Sequence, residues 1–355
     1  MNVHEAVDHK LKTAVTKYTK YRNEIWSFYA GAFLVLMVFK MSPLAFPSQT
    51  SLGRYYSPSS SDIQVQIPKG RTSCLGFHRP NPTILVESSV SHNFLISVLD
   101  SKVDNGVSTV IARDGRWDVH VLKALEAMAF RTNACQNGEI AMDVGANVGF
   151  FTLALLAMGC EVVAFEMQED LYEMVKFSSC INGFSHLLTI HNVAVSDKGG
   201  EVLRYNQVRH GNVGGTGLAS ESGSVEVRSV RIDSLILNKT VAVMKIDVEG
   251  YEEQAFSGMS SMFEKRLVKS IIMEFTPLVQ GTERAAAMLS TLHQYGFQKV
   301  TEIDYMSNSD YTNEKWPKRP VDTSIPDWAK VFAEKIAGGG DSRGVQFTDL
   351  LLELV

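Results

Sequence analysis

Residues Glu139 to Gln168 read EIAMDVGANVGFFTLALLAMGCEVVAFEMQ, and this stretch decides the fold. An apolar run, Ile140-Ala141-Met142, ends on Asp143. A small-residue turn follows, Val144-Gly145-Ala146-Asn147-Val148-Gly149, then a helix-like run from Phe150 to Met158. A second apolar run, Val162 to Phe165, is closed by Glu166. Strand, tight turn, helix and strand make the first half of a nucleotide-binding α/β unit. Glycine at 145 and 149 lets the backbone turn sharply and come close to a ligand. The free N–H groups at the start of the helix point toward that ligand. Glu166 lies 17 residues after Gly149, close to the ~20-residue offset at which an acidic side chain accepts two ribose hydroxyls.

The turn is not the dinucleotide fingerprint, which needs G-x-G-x-x-G with a pyrophosphate on the helix end. Here the pattern is D-x-G-x-N-x-G. A carboxylate at Asp143 repels a pyrophosphate and suits a cation. S-adenosylmethionine, with an ammonium, a sulfonium and no phosphate, fits that chemistry.

Outward from this unit the chain alternates. A helix over Asp118 to Phe130 precedes it, with Asp118 as N-cap. A helix over Glu169 to Cys180 follows, then a strand over Leu187 to Val195 and a β-ribbon from Glu201 to Tyr205 and Ser224 to Ile232. Strands over Val241 to Ile246 and Val268 to Phe275 flank a helix that runs to about Phe263. A helix over Glu283 to Tyr295 and late strands over Gln298 to Ile303 and Phe347 to Glu353 close the chain. Such alternation predicts a parallel sheet covered on both faces. In the lead-in region, Thr83 to Val86 and Ser108 to Ile111 read as short β runs.

The 355 residues suffice for one large domain or two modest ones, and 45% apolar with 21% charged residues is the composition of a folded protein. A net charge of −5 carries no basic footprint and argues against a nucleic-acid partner. The cysteines, Cys74, Cys135, Cys160 and Cys180, have no C-x-x-C spacing, so neither a cysteine metal site nor a disulfide framework is indicated. Cys160 reads as a small buried residue; Cys74 and Cys135 are candidates to pair in an oxidising lumen.

The N-terminal region reads differently. Residues 1–24 are polar and carry Lys10, Lys12, Lys17, Lys20 and Arg22. Ile25 to Phe39 holds no charge over 15 residues, and apolar length continues to about residue 46. The run shows almost no polar face, and its charges sit far from the start for a cleaved signal. The expectation is a single-pass signal anchor over 25–46, with a cytoplasmic tail at 1–24 and a lumenal catalytic domain in the Golgi or ER. Residues 47–73 have the Pro- and Ser-rich composition of a stem. The remaining expected boundaries are a lead-in subdomain at 74–116, the main domain at 117–305 and a C-terminal extension at 306–355 that completes the sheet. A sequon at Asn238-Lys239-Thr240 is usable in a lumen, although it abuts a strand.

MDVGANVGFFTL (142–153), AFEMQED (164–170), NVAVSDKGG (192–200), NVGGTGL (212–218), VRIDSL (230–235) and MKIDVEGYEEQAFSG (244–258) together resemble the FkbM family of S-adenosylmethionine-dependent methyltransferases. The resemblance covers roughly 117–280. It implies a class I, Rossmann-like fold with a seven-stranded, mostly parallel sheet, and methyl transfer to an oxygen, often on a sugar or a small natural product. Met167 departs from the proline common after the ribose carboxylate. The resemblance implies that Gly145, Ala146, Asn147 and Gly149 line the methionine part of the donor and that Asp143 reaches its ammonium through water. It places the ribose hydroxyls on Glu166, beside Met167, and the adenine edge near Asn192, Ala194 and Asp197, although Asp197 equally suits a plain turn role.

The acceptor should sit above the fourth strand. Asp247 ends that strand, Glu249 follows in the same loop, and Glu274 lies near the end of the fifth strand. One of these carboxylates is a candidate base. Alternatively, Asp247 and Glu274 share a divalent cation, as in catechol O-methyltransferase, which the chain resembles in fold only. Glu249 and Glu252 equally suit capping of the following helix. Lys245, inside an apolar strand, needs a carboxylate partner, because an unpaired buried ammonium is costly. His210, in the Gly-rich RHGNVGG loop, is a candidate base if that loop closes over the acceptor. Two rival classes remain. A glycosyltransferase would share the anchor-stem-domain layout but needs an Asp-x-Asp motif, which is absent; a donor-binding module would keep the fold without turnover.

Overall fold

The structure is a computed structural model that describes residues 74, 83–132, 135, 138–208, 210–219, 223–236, 238–307, 318–339 and 346–355. The expected tail, anchor and stem lie outside these residues. Among the described residues, no helix is long and apolar enough to cross a membrane.

The described elements begin with a hairpin, β1 (Thr83–Glu87) and β2 (Leu95–Leu99), followed by α1 (Val107–Asp114) and α2 (Val119–Thr132). The central unit is β3 (Ile140–Val144), α3 (Phe150–Ala157), β4 (Glu161–Phe165), α4 (Glu169–Asn182) and β5 (Leu188–His191). Short strands β6 (Ala194–Val195), β7 (Val202–Tyr205), β8 (Leu218–Ala219) and β9 (Val225–Val230) form a separate small sheet, and α5 (Ile232–Leu235) leads out of it. The second half runs β10 (Val241–Ile246), α6 (Glu252–Ser257), α7 (Ser260–Glu264), β11 (Ser270–Phe275), α8 (Pro277–Gln280) and α9 (Thr282–Gln294). It ends with β12 (Lys299–Ile303), β13 (Lys318–Pro320), α10 (Trp328–Ala337) and β14 (Thr348–Glu353).

The main sheet has the order β13-β12-β14-β11-β10-β3-β4-β5. The neighbours from β11 through β10, β3 and β4 to β5 pair in parallel. β14 runs antiparallel between β11 and β12. Every residue of β3 and β10 is buried, as expected of parallel strands covered on both faces. One core, on the face covered by α2 and α3, gathers Leu122, Leu125, Leu153, Val243 and Leu351. The other gathers Met142, Met244, Phe263, Phe275 and Phe332. From β3 the strand order runs outward one way to β4 and the other way to β10, so the topological switch, where open α/β sheets bind ligands, lies between β3 and β10.

The described sheet has eight strands rather than seven. The extra one, β13, is an exposed edge segment paired with β12, too short and polar to read as a strand. Ser108 to Ile111 is helical, not β. Its β-branched residues suggested a strand, but Val107, Val110 and Ile111 bury one helix face. The buried Asp104 carboxylate accepts the Gly106 and Ser108 N–H groups at the start of that helix, and Gly115 stops it in the left-handed region. The expected strand over Leu187 to Val195 splits at Asn192, whose side chain is drawn to the carbonyls of Glu166 and Met167. The helix expected to reach Phe263 is two short ones, α6 and α7.

The cysteines also correct the sequence reading. Cys74 bonds Cys180, and Cys135 bonds Cys160. The first pair ties the lead-in region to α4. Beside it, α4 also holds β2: Ser178 Oγ accepts the Ser97 N–H, and Asn182 Oδ1 accepts the Leu95 N–H.

Candidate functional site

The turn after β3 is bent back onto the end of β4. The N–H groups of Gly145 and Ala146 both donate to the Phe165 carbonyl, at 2.9 and 3.0 Å. Gly145 has φ +82°, and a Cβ there would lie 1.9 Å from the Asp247 carbonyl oxygen, so no other residue fits. This turn and the loop after β10 therefore touch backbone to backbone.

Glu166, just past β4, is 5% exposed. Its carboxylate accepts the Asn147 N–H at Oε2 and the Gln168 N–H at Oε1, each at 2.8 Å. Burial pushes its pKa up to about 7, although those two N–H groups and Lys245 pull the other way. A carboxylate oriented by backbone donors and still costly to ionise is poised to accept further hydroxyl donors.

The loop after β10, Asp247-Val248-Glu249-Gly250-Tyr251, is shaped by two left-handed residues, Glu249 at φ +55° and Gly250 at φ +93°. Glu252 is fully buried and turns back into this loop. Its Oε1 accepts the N–H groups of Val248 and Gly250, and Gln280 donates to its Oε2. Glu252 thus clamps the loop while standing in the first turn of the helix it begins. Burial pushes its pKa up to about 7.

One cleft joins these parts. Its lining includes Gly145, Asn147, Glu166, Met167, Ala194, Asp247 and Glu249, all singled out from the sequence. The remaining expectations fall elsewhere. Asp143 is fully buried beneath the turn, where Thr152 Oγ1 donates to it at 2.6 Å, so it does not face the cleft. Ala146 is buried, and Gly149 caps α3 with its Cα against Val175. Asn192 supports the Glu166–Met167 backbone from behind. The Asp197 carbonyl is held by Arg231 in a turn away from the cleft. His210 is exposed beside the Lys102 carbonyl and does not line the cleft. Glu274 lies in register with Asp349 on β14, also outside it.

Sequence reasoning missed Gln168, Thr216, Leu218 and Tyr251, which also line the cleft. The Gly-rich segment reaches over Asn147 so closely that a Cβ on Gly214 would lie 2.1 Å from Asn147 Nδ2. That segment is pinned from two sides. The Val213 carbonyl accepts Gln168 Nε2, and Gly211 exchanges backbone hydrogen bonds with Val103 and Asn105. Also unforeseen is a buried pair, His120 Nε2 to Asp349 Oδ2 at 2.9 Å, with the Tyr305 ring 5.3 Å from the imidazole. These residues are 229 positions apart and share no motif.

Among the described residues, no group of three or more His, Cys, Asp or Glu side chains is arranged to hold a metal. The cation beside Asp247 is Lys245, with Nζ 3.5 Å from Asp247 Oδ2 and 3.9 Å from Asp143 Oδ1.

An open, mostly parallel α/β sheet with its cleft at the switch point is a class I methyltransferase-like fold. Residues 143–299 match the family model described as the methyltransferase FkbM domain. That stretch is similar to FkbM methyltransferase domains. No curated protein matches it in sequence. Solved structures similar to it include the METTL16 methyltransferase domain, at 10% identity and TM-score 0.35, with 66% of each chain covered. The N-terminal domain of EvdMO1, solved in the presence of SAH and D-fucose, is 9% identical at TM-score 0.34, covering 68% of this chain and 84% of that one. A SAM-dependent O-methyltransferase from Thermotoga maritima is 11% identical at TM-score 0.32, covering 66% and 65%. The chain spans 41% of full EvdMO1, at 9% identity and TM-score 0.33 with 67% of this chain covered. Likenesses this distant do not bear on substrate.

Proposed function

We propose that this protein is a membrane-anchored O-methyltransferase that uses S-adenosylmethionine to methylate a hydroxyl or carboxyl group of a glycan or small metabolite. The observation that carries the reading is Glu166: a buried carboxylate, aligned by two backbone N–H groups, that shares one cleft with Asp247 across the switch point. The residues present fit the donor. Glu166 has the acceptor capacity for two ribose hydroxyls. Facing it across the cleft, on the acceptor side, Asp247 Oδ1 is buried with no hydrogen-bond partner. Gly145 and Asn147 offer a turn that admits a ligand against the backbone.

Bound there, S-adenosylmethionine supplies an electrophilic methyl group. The protein's part is alignment and proton removal. Gly145, Asn147 and Glu166 hold the donor side; Met167 and Ala194 wall the far end. Asp247 and Glu249 stand where the acceptor enters, positioned to orient its hydroxyl and accept its proton. Glu252 fixes their loop. Incubation with methyl-labelled donor and a panel of glycans and small hydroxyl compounds tests the reading. Label on an acceptor oxygen is expected; donor binding with no transfer to any acceptor would leave only a binding module.

The raised pKa of Glu166 gives a pH signature. Its folded value, about 7, lies above the usual 4.5. The group's contribution to the stability of the ligand-free protein is therefore full below about 4.5 and is lost as pH rises through about 7. Ribose hydroxyls favour the ionised form, so donor binding near pH 6.5 should release protons, up to about one per site. Calorimetric titration in buffers of different ionisation heat measures this, and the release should fade by pH 8.5. Binding at pH 6.5 with no proton exchange would remove Glu166 from the donor site.

The anchor reading rests on the charge-free run at 25–39 and the basic residues before it. Two disulfides suit an oxidising compartment and support a lumenal domain. In sealed microsomes the C-terminal domain should resist protease until detergent is added. Digestion without detergent would overturn this topology.

A further inference from the structure

Lys245 is the only charged residue of β10, VAVMKI, and it is 6% exposed. It is in register with Asp143 on β3, so the two side chains stand on the same sheet face. Its Nζ donates to the Gly145 carbonyl at 3.1 Å, lies 3.5 Å from Asp247 Oδ2 and 3.9 Å from Asp143 Oδ1, and sits 5.4 Å from the centre of the Phe151 ring. The charges of Glu274 and Asp118 also act on it. One ammonium therefore contacts the donor turn, the carboxylate beneath that turn and the carboxylate at the expected reaction centre.

Burying an ammonium costs several kcal/mol unless its partners are close and well aligned. The Gly145 carbonyl accepts at 3.1 Å and the Asp247 carboxylate forms a long hydrogen bond at 3.5 Å, while Asp143 stands further away. A methionine of similar length would pack this strand at lower cost. A lysine here is poor value as a staple and well placed as a fixed charge.

We propose that Lys245 is the built-in cation of the reaction centre, positioning Asp247 against the donor turn and filling the place between Asp143 and Asp247 that a divalent metal would otherwise take. The inference rests on the methyltransferase reading and deepens it. Methyl transfer in this protein then proceeds without a bound divalent ion. Lys245 is a positioning residue: it acts through Asp247 and Gly145.

Mn²⁺ alone is the probe, followed by electron paramagnetic resonance on the full-length protein, with S-adenosylmethionine binding measured on the same samples. Wild type should bind the donor and leave Mn²⁺ free at about 1 mM. Lys245→Met should acquire a Mn²⁺ site, with affinity at least about tenfold above wild type, because two carboxylates lose their cation. Lys245→Met/Asp247→Asn should lose that site again. Lys245→Arg, which keeps the charge, should stay Mn²⁺-free. A purely structural lysine would not move this readout. If Lys245→Met does not fold, Lys245→Gln takes its place. Mn²⁺ bound to wild type and lost in Asp247→Asn would overturn the proposal, as would a folded Lys245→Met or Lys245→Gln protein that stays Mn²⁺-free. Absence of donor binding by wild type would instead strike the methyltransferase reading.

Discussion

Glu166→Ala is expected to lower the affinity for S-adenosylmethionine by about 100-fold. Each ribose hydroxyl donated to a carboxylate contributes roughly 1.5–3 kcal/mol, and water recovers part of that when the carboxylate is gone. A net loss of about 2.7 kcal/mol is about two orders of magnitude. The substitution also strips the acceptor from the Asn147 and Gln168 N–H groups, so turn and ligand are both affected. Glu166→Gln separates the two effects. It keeps an oxygen for one N–H and removes the charge, and it should fall between wild type and alanine. Calorimetry on all three proteins gives the comparison. Alanine within twofold of wild type would contradict the assignment.

Asp247→Asn is expected to cut turnover by about 100-fold or more, the scale of general acid–base assistance, while donor affinity stays within about threefold. Asparagine preserves size and one carbonyl oxygen. It loses the charge that faces Lys245 at 3.5 Å and the second basic oxygen. The Asp247 side chain is about one-third exposed, so its ion pair is partly screened by solvent and its loss should move the melting temperature by only a few degrees. Glu249→Gln serves as the companion variant in the same loop. A folded Asp247→Asn protein with near-normal turnover would leave alignment alone as the source of rate.

Much of the central unit could be read from the chain because its signals are local. The run from Asp143 to Glu166 carries its own turn glycines, its helix and its carboxylate, all within 24 residues. The pairing of that unit with Lys245-Ile246-Asp247-Val248-Glu249-Gly250 rested on the family resemblance, which joins the two motifs. What escaped was tertiary. Asp143 lies beneath the turn rather than in the cleft wall, held by Thr152 and facing Lys245. Ser108 to Ile111 has strand-like residues, yet the carboxylate of Asp104 and one buried face make it a helix. The glycines of the 211–217 segment signalled freedom of the backbone, not that Gly214 must be small to pass Asn147. His120 and Asp349, like the two disulfides, join distant positions that no spacing rule connects.

The central claim is that the cleft between β3, β4 and β10 holds S-adenosylmethionine. Isothermal titration of the donor into the wild-type protein at pH 8, where Glu166 is ionised, tests it most directly. The account predicts saturable binding at one site per chain, weakened about 100-fold by Glu166→Ala. A folded wild-type protein that gives no saturable heat with S-adenosylmethionine at millimolar concentration would contradict it.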